Sequence, residues 1–333
     1  MTTLAQLSEE QILARILPHF AASSDVLLAP GDDAAVLRAS GAVVVTTDSM
    51  VRGLDWRDDW SSASDVGRKV VVQNVADIAA MGARCTGLVV ALAAAPATEI
   101  AWLEELATGI AAAAAEAGTS VVGGDLSSAP AGVVVITLTA LGDLGGRAPV
   151  LRSGARVGDV VAVCGSLGRS GAGLALYADA ADRPEQSAAA AVLREAHRTA
   201  GRPPYEAGPA AADAGATAML DISDGLVRDA GRIAAASGVG IALDRAALER
   251  EVDGPIREVF GADGLPFVLT GGEEHSLLAT FPPGGVPSAE PSWRAIGEVT
   301  AGTGVSLDGI PQTGGGWDHF AQRKSRPEGR LSR

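Results

Sequence analysis

Residues 74–83 read Asn-Val-Ala-Asp-Ile-Ala-Ala-Met-Gly-Ala. Apolar residues at helical spacing predict a helix over Ser64–Ala83, with Ser64 as its N-cap and Gly82 near its end. Asp77 sits in the middle of that helix, among Val75, Ala76, Ile78 and Ala79. A carboxylate in such surroundings is costly to bury unless something pairs with it. Asn74, three residues back, shares its face, and Lys69, eight back, lies on roughly the same side.

Outward from Asp77, acids recur beside glycine or hydroxyl residues. They stand in Gly31-Asp32-Asp33, in Thr46-Thr47-Asp48 at the exit of a strand predicted over Ala42–Thr47, and in Gly123-Gly124-Asp125 after a short strand at Ser120–Val122. Asp221-Ile222-Ser223-Asp224-Gly225 precedes a helix predicted over Leu226–Ser237. Each alone reads first as an Asx turn or helix cap. Together they suit another chemistry. Magnesium takes hard oxygen ligands, a few carboxylates plus phosphate and water, and glycine lets backbone N–H groups approach a phosphate. Metals around a triphosphate neutralise charge and orient transfer. No Walker A pattern is present, the Gly165–Gly173 loop does not match G-x-G-x-x-G, and the histidines lack zinc-ligand spacing.

The net charge of -14 argues against a nucleic-acid or membrane-surface partner. It also means that a polyphosphate could be held only with cations between. Cys85 and Cys164 form no ligand or disulfide pattern, which fits a reducing cytoplasm. The polar N-terminus is no signal peptide, and every apolar run is broken before about 18 residues, so no membrane span is expected. The remaining elements are helices over Ser8–Phe20 and Ile100–Ala117, strands over Gly87–Ala93, Val133–Leu141, Asp159–Cys164 and Leu277–Phe281, and an Ala-rich helix after the Gly165–Gly173 loop. Residues 181–210 resist assignment. Mixed strands and helices give an α/β (α+β) class. A glycine- and arginine-dense stretch at 144–158 divides the chain into units of 1–148 and 149–320, with a disordered basic tail at 321–333.

The ordered motifs resemble those of the thiamine-monophosphate kinase family, in the superfamily of aminoimidazole ribonucleotide synthetase and selenophosphate synthetase. The stretches are Gly31–Ala35, Thr46–Val51, Asn74–Ala83, Gly123–Asp125, Arg152–Ala155, Asp221–Leu226, Gly271–Glu274 and Gly316–Phe320. They span residues 31 to 320. The resemblance implies a two-domain fold with an N-terminal sheet at a homodimer interface and a C-terminal α/β domain. It also implies an active site between the halves. The implied reaction is ATP-dependent phosphorylation of thiamine monophosphate by direct in-line transfer, with no acid–base side chain.

The resemblance further implies magnesium ligands at Asp33, Asp48, Asp77, Asp125, Asp221 and Asp224, helped by Thr46 and Thr47. ATP contacts are implied at Gly124, Asp125, Arg152 and Ser223. A guanidinium at Arg152 offers paired donors to phosphate. Glu273 and Trp317 match positions near the thiamine end, and an indole suits stacking on its rings. Three departures stand out. Asp55 occupies the place of a substrate-side histidine. Gly271-Gly272-Glu273-Glu274-His275-Ser276-Leu277 replaces the usual GGEDYEL. Arg84 and Cys85 follow the Asp77 helix where other residues are usual.

Overall fold

The computed structural model describes residues 1–29, 34–178, 187–289, 291–313 and 315–316. Helix α1 (Glu9–Ile16) is followed by a two-stranded ribbon, β1 (Val26–Leu28) and β2 (Val36–Leu37). Then come β3 (Val43–Val51), α2 (Ala63–Ala80), β4 (Arg84–Ala94), α3 (Ile100–Glu116), β5 (Val121–Ser128) and β6 (Val134–Asp143). These four strands form one sheet in the order β3-β6-β4-β5.

β3 runs past its predicted end, so Asp48 lies inside the strand, opposite Leu138 of β6, not at an exit. β5 likewise includes Gly123, Gly124 and Asp125, which pair with Val89, Val90 and Ala91 of β4. A side chain at Gly124 would place its Cβ 2.2 Å from the Val90 carbonyl oxygen, so only glycine fits this strand contact. Helix α2 starts earlier than predicted. Its N-cap is Ser62, which accepts the Asp65 N–H at 3.1 Å while Asp65 accepts the Ser62 N–H at 3.0 Å.

α2 and α3 lie on one face of this sheet, over a core of Val66, Val70, Ile78, Leu88, Leu106, Ile110, Ile136 and Leu138. Gly67 and Gly109 bring the two helices close. A Cβ on Gly109 would sit 2.1 Å from the Ser64 carbonyl oxygen. The other face is covered at Gly87 by Leu37 of the ribbon and is open toward β3. Val45 is 59% exposed, and hydroxyls pair across it, Thr47 with Thr139 at 3.0 Å and Ser49 with Thr137 at 2.7 Å.

The rest of the chain supplies β7 (Val160–Cys164), α4 (Arg169–Ala178), α5 (Ala188–Thr199), α6 (Ala207–Asp213), β8 (Ala218–Ile222), α7 (Leu226–Ser237) and β9 (Gly240–Leu243). It continues through α8 (Arg245–Glu251), α9 (Gly254–Phe260), α10 (Leu265–Thr270), β10 (Ser276–Phe281), β11 (Arg294–Thr300), β12 (Gly304–Leu307) and β13 (Ile310–Gln312). Its seven strands are ordered β13-β12-β9-β11-β7-β10-β8. Strand β7 is buried on both faces. Val161 and Val163 enter the core with Leu220, Ile222 and Ile233. Ala162 and Cys164 face the other way, with Met219, Leu277, Phe281 and Ala211. Ala80, at the end of α2, joins that second cluster, so α2 is packed between the two sheets. The unassigned stretch 181–210 holds α5 and the start of α6. Among the described residues no helix is long and apolar enough to cross a membrane.

Candidate active site

Alternation along β3 turns Thr46 and Asp48 toward α2 and Thr47 away from it. The Thr46 hydroxyl donates to Asp77 Oδ2 at 2.7 Å. Across the gap, β8 presents Asp221, buried, with His275 Nδ1 3.1 Å from its Oδ2. Asp77 is pushed up to about 7, by burial first and then by the charge of Asp221, with Asp48 adding to it against the Thr46 hydrogen bond. Three acids from β3, α2 and β8 therefore crowd one another electrostatically, and all their donors are hard oxygens. Such a set suits a divalent cation. Among the described residues no three of these side chains converge closely enough to hold a metal by themselves. Asp33 and Trp317 lie outside the described residues.

His275 was legible only as a break in a family pattern. Burial opposes its charge, but the hydrogen bond and charge of Asp221 outweigh that and hold the ring cationic to higher pH than usual. Its backbone has φ +53°, and its N–H donates to the Ile222 carbonyl at 2.9 Å. Glu273, at φ +61°, donates its N–H to the Ser223 carbonyl at 2.7 Å. Two non-glycine residues in the left-handed region store strain at this point, beside the strand that carries Asp221.

The other anticipated residues are placed differently. Thr47 donates its hydroxyl to the Leu138 carbonyl at 3.1 Å, on the open face of the sheet. Asp125 is exposed in the cross-strand row of Ser49, Thr137 and Ala91, and accepts from the Ser127 hydroxyl at 2.9 Å. Asp224 is engaged by Arg232 and lies 3.7 Å from Arg228, while its N–H donates to Asp229 at 2.9 Å. It belongs to an ion-pair network at the start of α7. Arg152 is exposed, and its carbonyl accepts the Ser237 hydroxyl at 3.2 Å. Asp55 closes the turn after β3 by accepting the Val51 N–H at 2.7 Å. Arg84 forms a two-pronged pair with Asp25, at 2.6 and 3.1 Å, and so ties β4 to the N-terminal ribbon.

Glu273 carries an ion pair of its own. Lys69 Nζ is 2.6 Å from Oε1, and His197 Nδ1 is 3.3 Å from Oε2. Burial alone would raise its pKa, but the Lys69 charge and the His197 contact hold the carboxyl well below the usual range. A lysine directly before the run Val70–Val72, on roughly the Asp77 side of the helix, was the sequence sign of this partner. Next to it, buried Glu274 accepts from the Ser170 N–H at 2.6 Å and the Ser166 hydroxyl at 2.9 Å; burial pushes it up to about 7. Both glutamates border a cavity of about 1000 Å³, also lined by Arg169, Arg202, Arg250 and Arg294.

Residues 31–144 match the family model described as AIR synthase related protein, N-terminal domain, and residues 156–310 match the corresponding C-terminal domain. A thiamine-monophosphate kinase of Mycobacterium tuberculosis is 46% identical over 96% of this chain and 94% of its own length. The crystal structure of thiamine-monophosphate kinase from Stenotrophomonas maltophilia superposes with a TM-score of 0.78 at 30% identity, covering 91% of this chain and 96% of the other. AaThiL complexed with AMPPCP and TMP gives a TM-score of 0.74 at 29% identity, covering 96% and 99%. With both domain models matched and close likeness along nearly the whole length, the chain belongs to the AIR synthase related family, within its thiamine-monophosphate kinase branch.

Proposed function

We infer that this chain transfers the terminal phosphoryl group of ATP to thiamine monophosphate, yielding ADP and thiamine diphosphate. The observation that carries the reading is the acidic gap between the sheets, where Asp77, held by the Thr46 hydroxyl, lies within the field of Asp221 and Asp48. Such a gap receives a triphosphate only with cations in between. Magnesium would be held by Asp77, Asp48 and Asp221 with Asp33, and would neutralise phosphate charge there. An oxygen of the acceptor's phosphate forms the new bond to the γ-phosphorus as the bond to ADP breaks. No side chain need exchange a proton, because the attacking oxygen is already anionic.

Residues of this chain orient that exchange. Thr46 holds the Asp77 carboxylate, and His275 holds that of Asp221. Gly124 and Ser223 would give the nucleotide phosphates close access to backbone, and the exposed Arg152 would supply paired donors to them. Asp55 and Trp317 are assigned to the thiamine end. Thr47 and Asp125, on the open face of the first sheet, would face a second copy of the chain, and a homodimer closed over that face is the proposed assembly. The two cysteines are buried, which suits a reducing cytoplasmic setting.

The test is ADP release with thiamine monophosphate, thiamine or an aminoimidazole ribonucleotide precursor as acceptor. Release with the monophosphate alone, abolished by chelating magnesium, is expected. Release with the precursor but not the monophosphate would refute the assignment.

A further inference from the structure

Helix α2 carries both Asp77 and Lys69, eight residues and so about 12 Å apart along its axis. Lys69 is 3% exposed, and its ammonium points across the gap to Glu273. His197 of α5 reaches the second oxygen of the same carboxylate and lies 3.3 Å from the Ser170 hydroxyl of α4. A ring stack stands beside them. Trp60, in the loop before α2, lies 4.8 Å from Tyr177 of α4, with His197 against its edge at 6.2 Å. Glu273 is not a loose side chain in this arrangement. Its own N–H holds Ser223, and two residues on, His275 holds Ile222 and Asp221. A continuous path thus runs from α2 through Lys69 and Glu273 to the strand end that bears Asp221.

We propose that Lys69, Glu273 and His197 form a clamp that sets the gap between the Asp77 side and the Asp221 side of the site. Lys69 and Glu273 are positioning residues for the phosphoryl transfer. The inference rests on the inter-sheet gap being the nucleotide site. It gives Glu273 a different task from contact with thiamine: both its oxygens are already engaged by cationic or ring donors from two other elements. The strained φ at Glu273 and His275 fits this role, since the clamp holds the segment in a conformation that it would otherwise leave. A small change in the gap moves the reacting oxygen relative to the γ-phosphorus, and misplacement by about 1 Å costs on the order of 100-fold in rate.

The experiment compares the wild type with Lys69→Met, Glu273→Gln and the double variant Lys69→Met/Glu273→Gln. Thermal midpoint, calorimetric affinity for magnesium-loaded AMPPCP, kcat, and KM for thiamine monophosphate are measured. Lys69→Met leaves Glu273 with only its His197 contact, and Glu273→Gln leaves the buried Lys69 ammonium without a counter-charge, so each lowers the midpoint; the double change removes both charges and restores it. In the double variant the AMPPCP affinity stays about tenfold weak and kcat on the order of 100-fold low, with KM for the acceptor within about twofold. Recovery of affinity together with stability would reduce the pair to a structural one and overturn the proposal. So would a rise in acceptor KM confined to Glu273→Gln, because that marks direct contact with the acceptor. Wild type that binds AMPPCP but phosphorylates no thiamine monophosphate would refute the activity and leave the clamp standing on its binding data.

Discussion

Asp77 is held where its charge is least welcome, beside Asp221 and Asp48 and partly out of water. Asp77→Asn therefore has two opposite effects. At pH 8 and without magnesium, it should raise stability by on the order of 1 kcal/mol, because the repulsion is removed. Turnover should fall at least about 100-fold, because a cation ligand is lost. Thermal melting beside the ADP-release assay checks both; unchanged turnover would remove Asp77 from the site. Glu274 gives a pH prediction. Its folded value of about 7 stands above the ordinary 4.5, so the group favours the folded state at low pH. That contribution is full below about 4.5 and is lost as pH rises through about 7, a change of about 3 kcal/mol. Urea unfolding from pH 4.5 to 8 should show the loss in wild type, and Glu274→Gln should reduce it, leaving the share that Asp77 contributes over the same range.

Helix α2 serves the site and the core together, and its contacts tolerate little change. Gly109→Ala would drive a methyl into the Ser64 carbonyl and part α2 from α3. The expected cost is about 3 kcal/mol, the upper end for overpacking. Ser62→Ala removes the N-cap box and should cost about 1 kcal/mol. Denaturant midpoints order the two, and the reverse order would contradict the close packing. At this scale the sequence was partly legible. Helix α7 has the limits that its periodicity predicts, Leu226–Ser237. β3 and β5 outran theirs, because Asp48 and Gly123–Gly124 are poor strand formers in isolation. Ladder pairing to β6 and β4 overrides that local preference. Helix α5 escaped notice because its buried face is small, Ala189, Ala190, Leu193 and His197, and a Pro203-Pro204 break follows soon after.

For the whole molecule, the open face of the four-stranded sheet is a surface without a covering layer among the described residues. Val43 and Val45 are about half exposed there, beside paired hydroxyls, with Asp143 and Arg84 in the Val43 row and Asp125 in the Ser49 row. A strand face of that composition is suited to a second sheet. Sedimentation should report a dimer. Val45→Lys, which puts charge in the middle of that face, should shift it to monomer with the melting temperature little changed. A wild-type monomer at micromolar concentration would refute the homodimer.

The sequence by itself determined the family, the mixed α/β class and the inventory of acids, because these follow from residue types in order along the chain. It could not determine which acids share a space. A strand turns successive side chains to opposite faces, so Thr46 and Asp48 meet Asp77 while Thr47 looks away. Asp125 stands on the open face, and Asp224 is absorbed by Arg232. Only packing α2 between the two sheets brings Asp77 opposite Asp221 and Lys69 onto Glu273, over separations of 144 and 204 residues that no local pattern encodes.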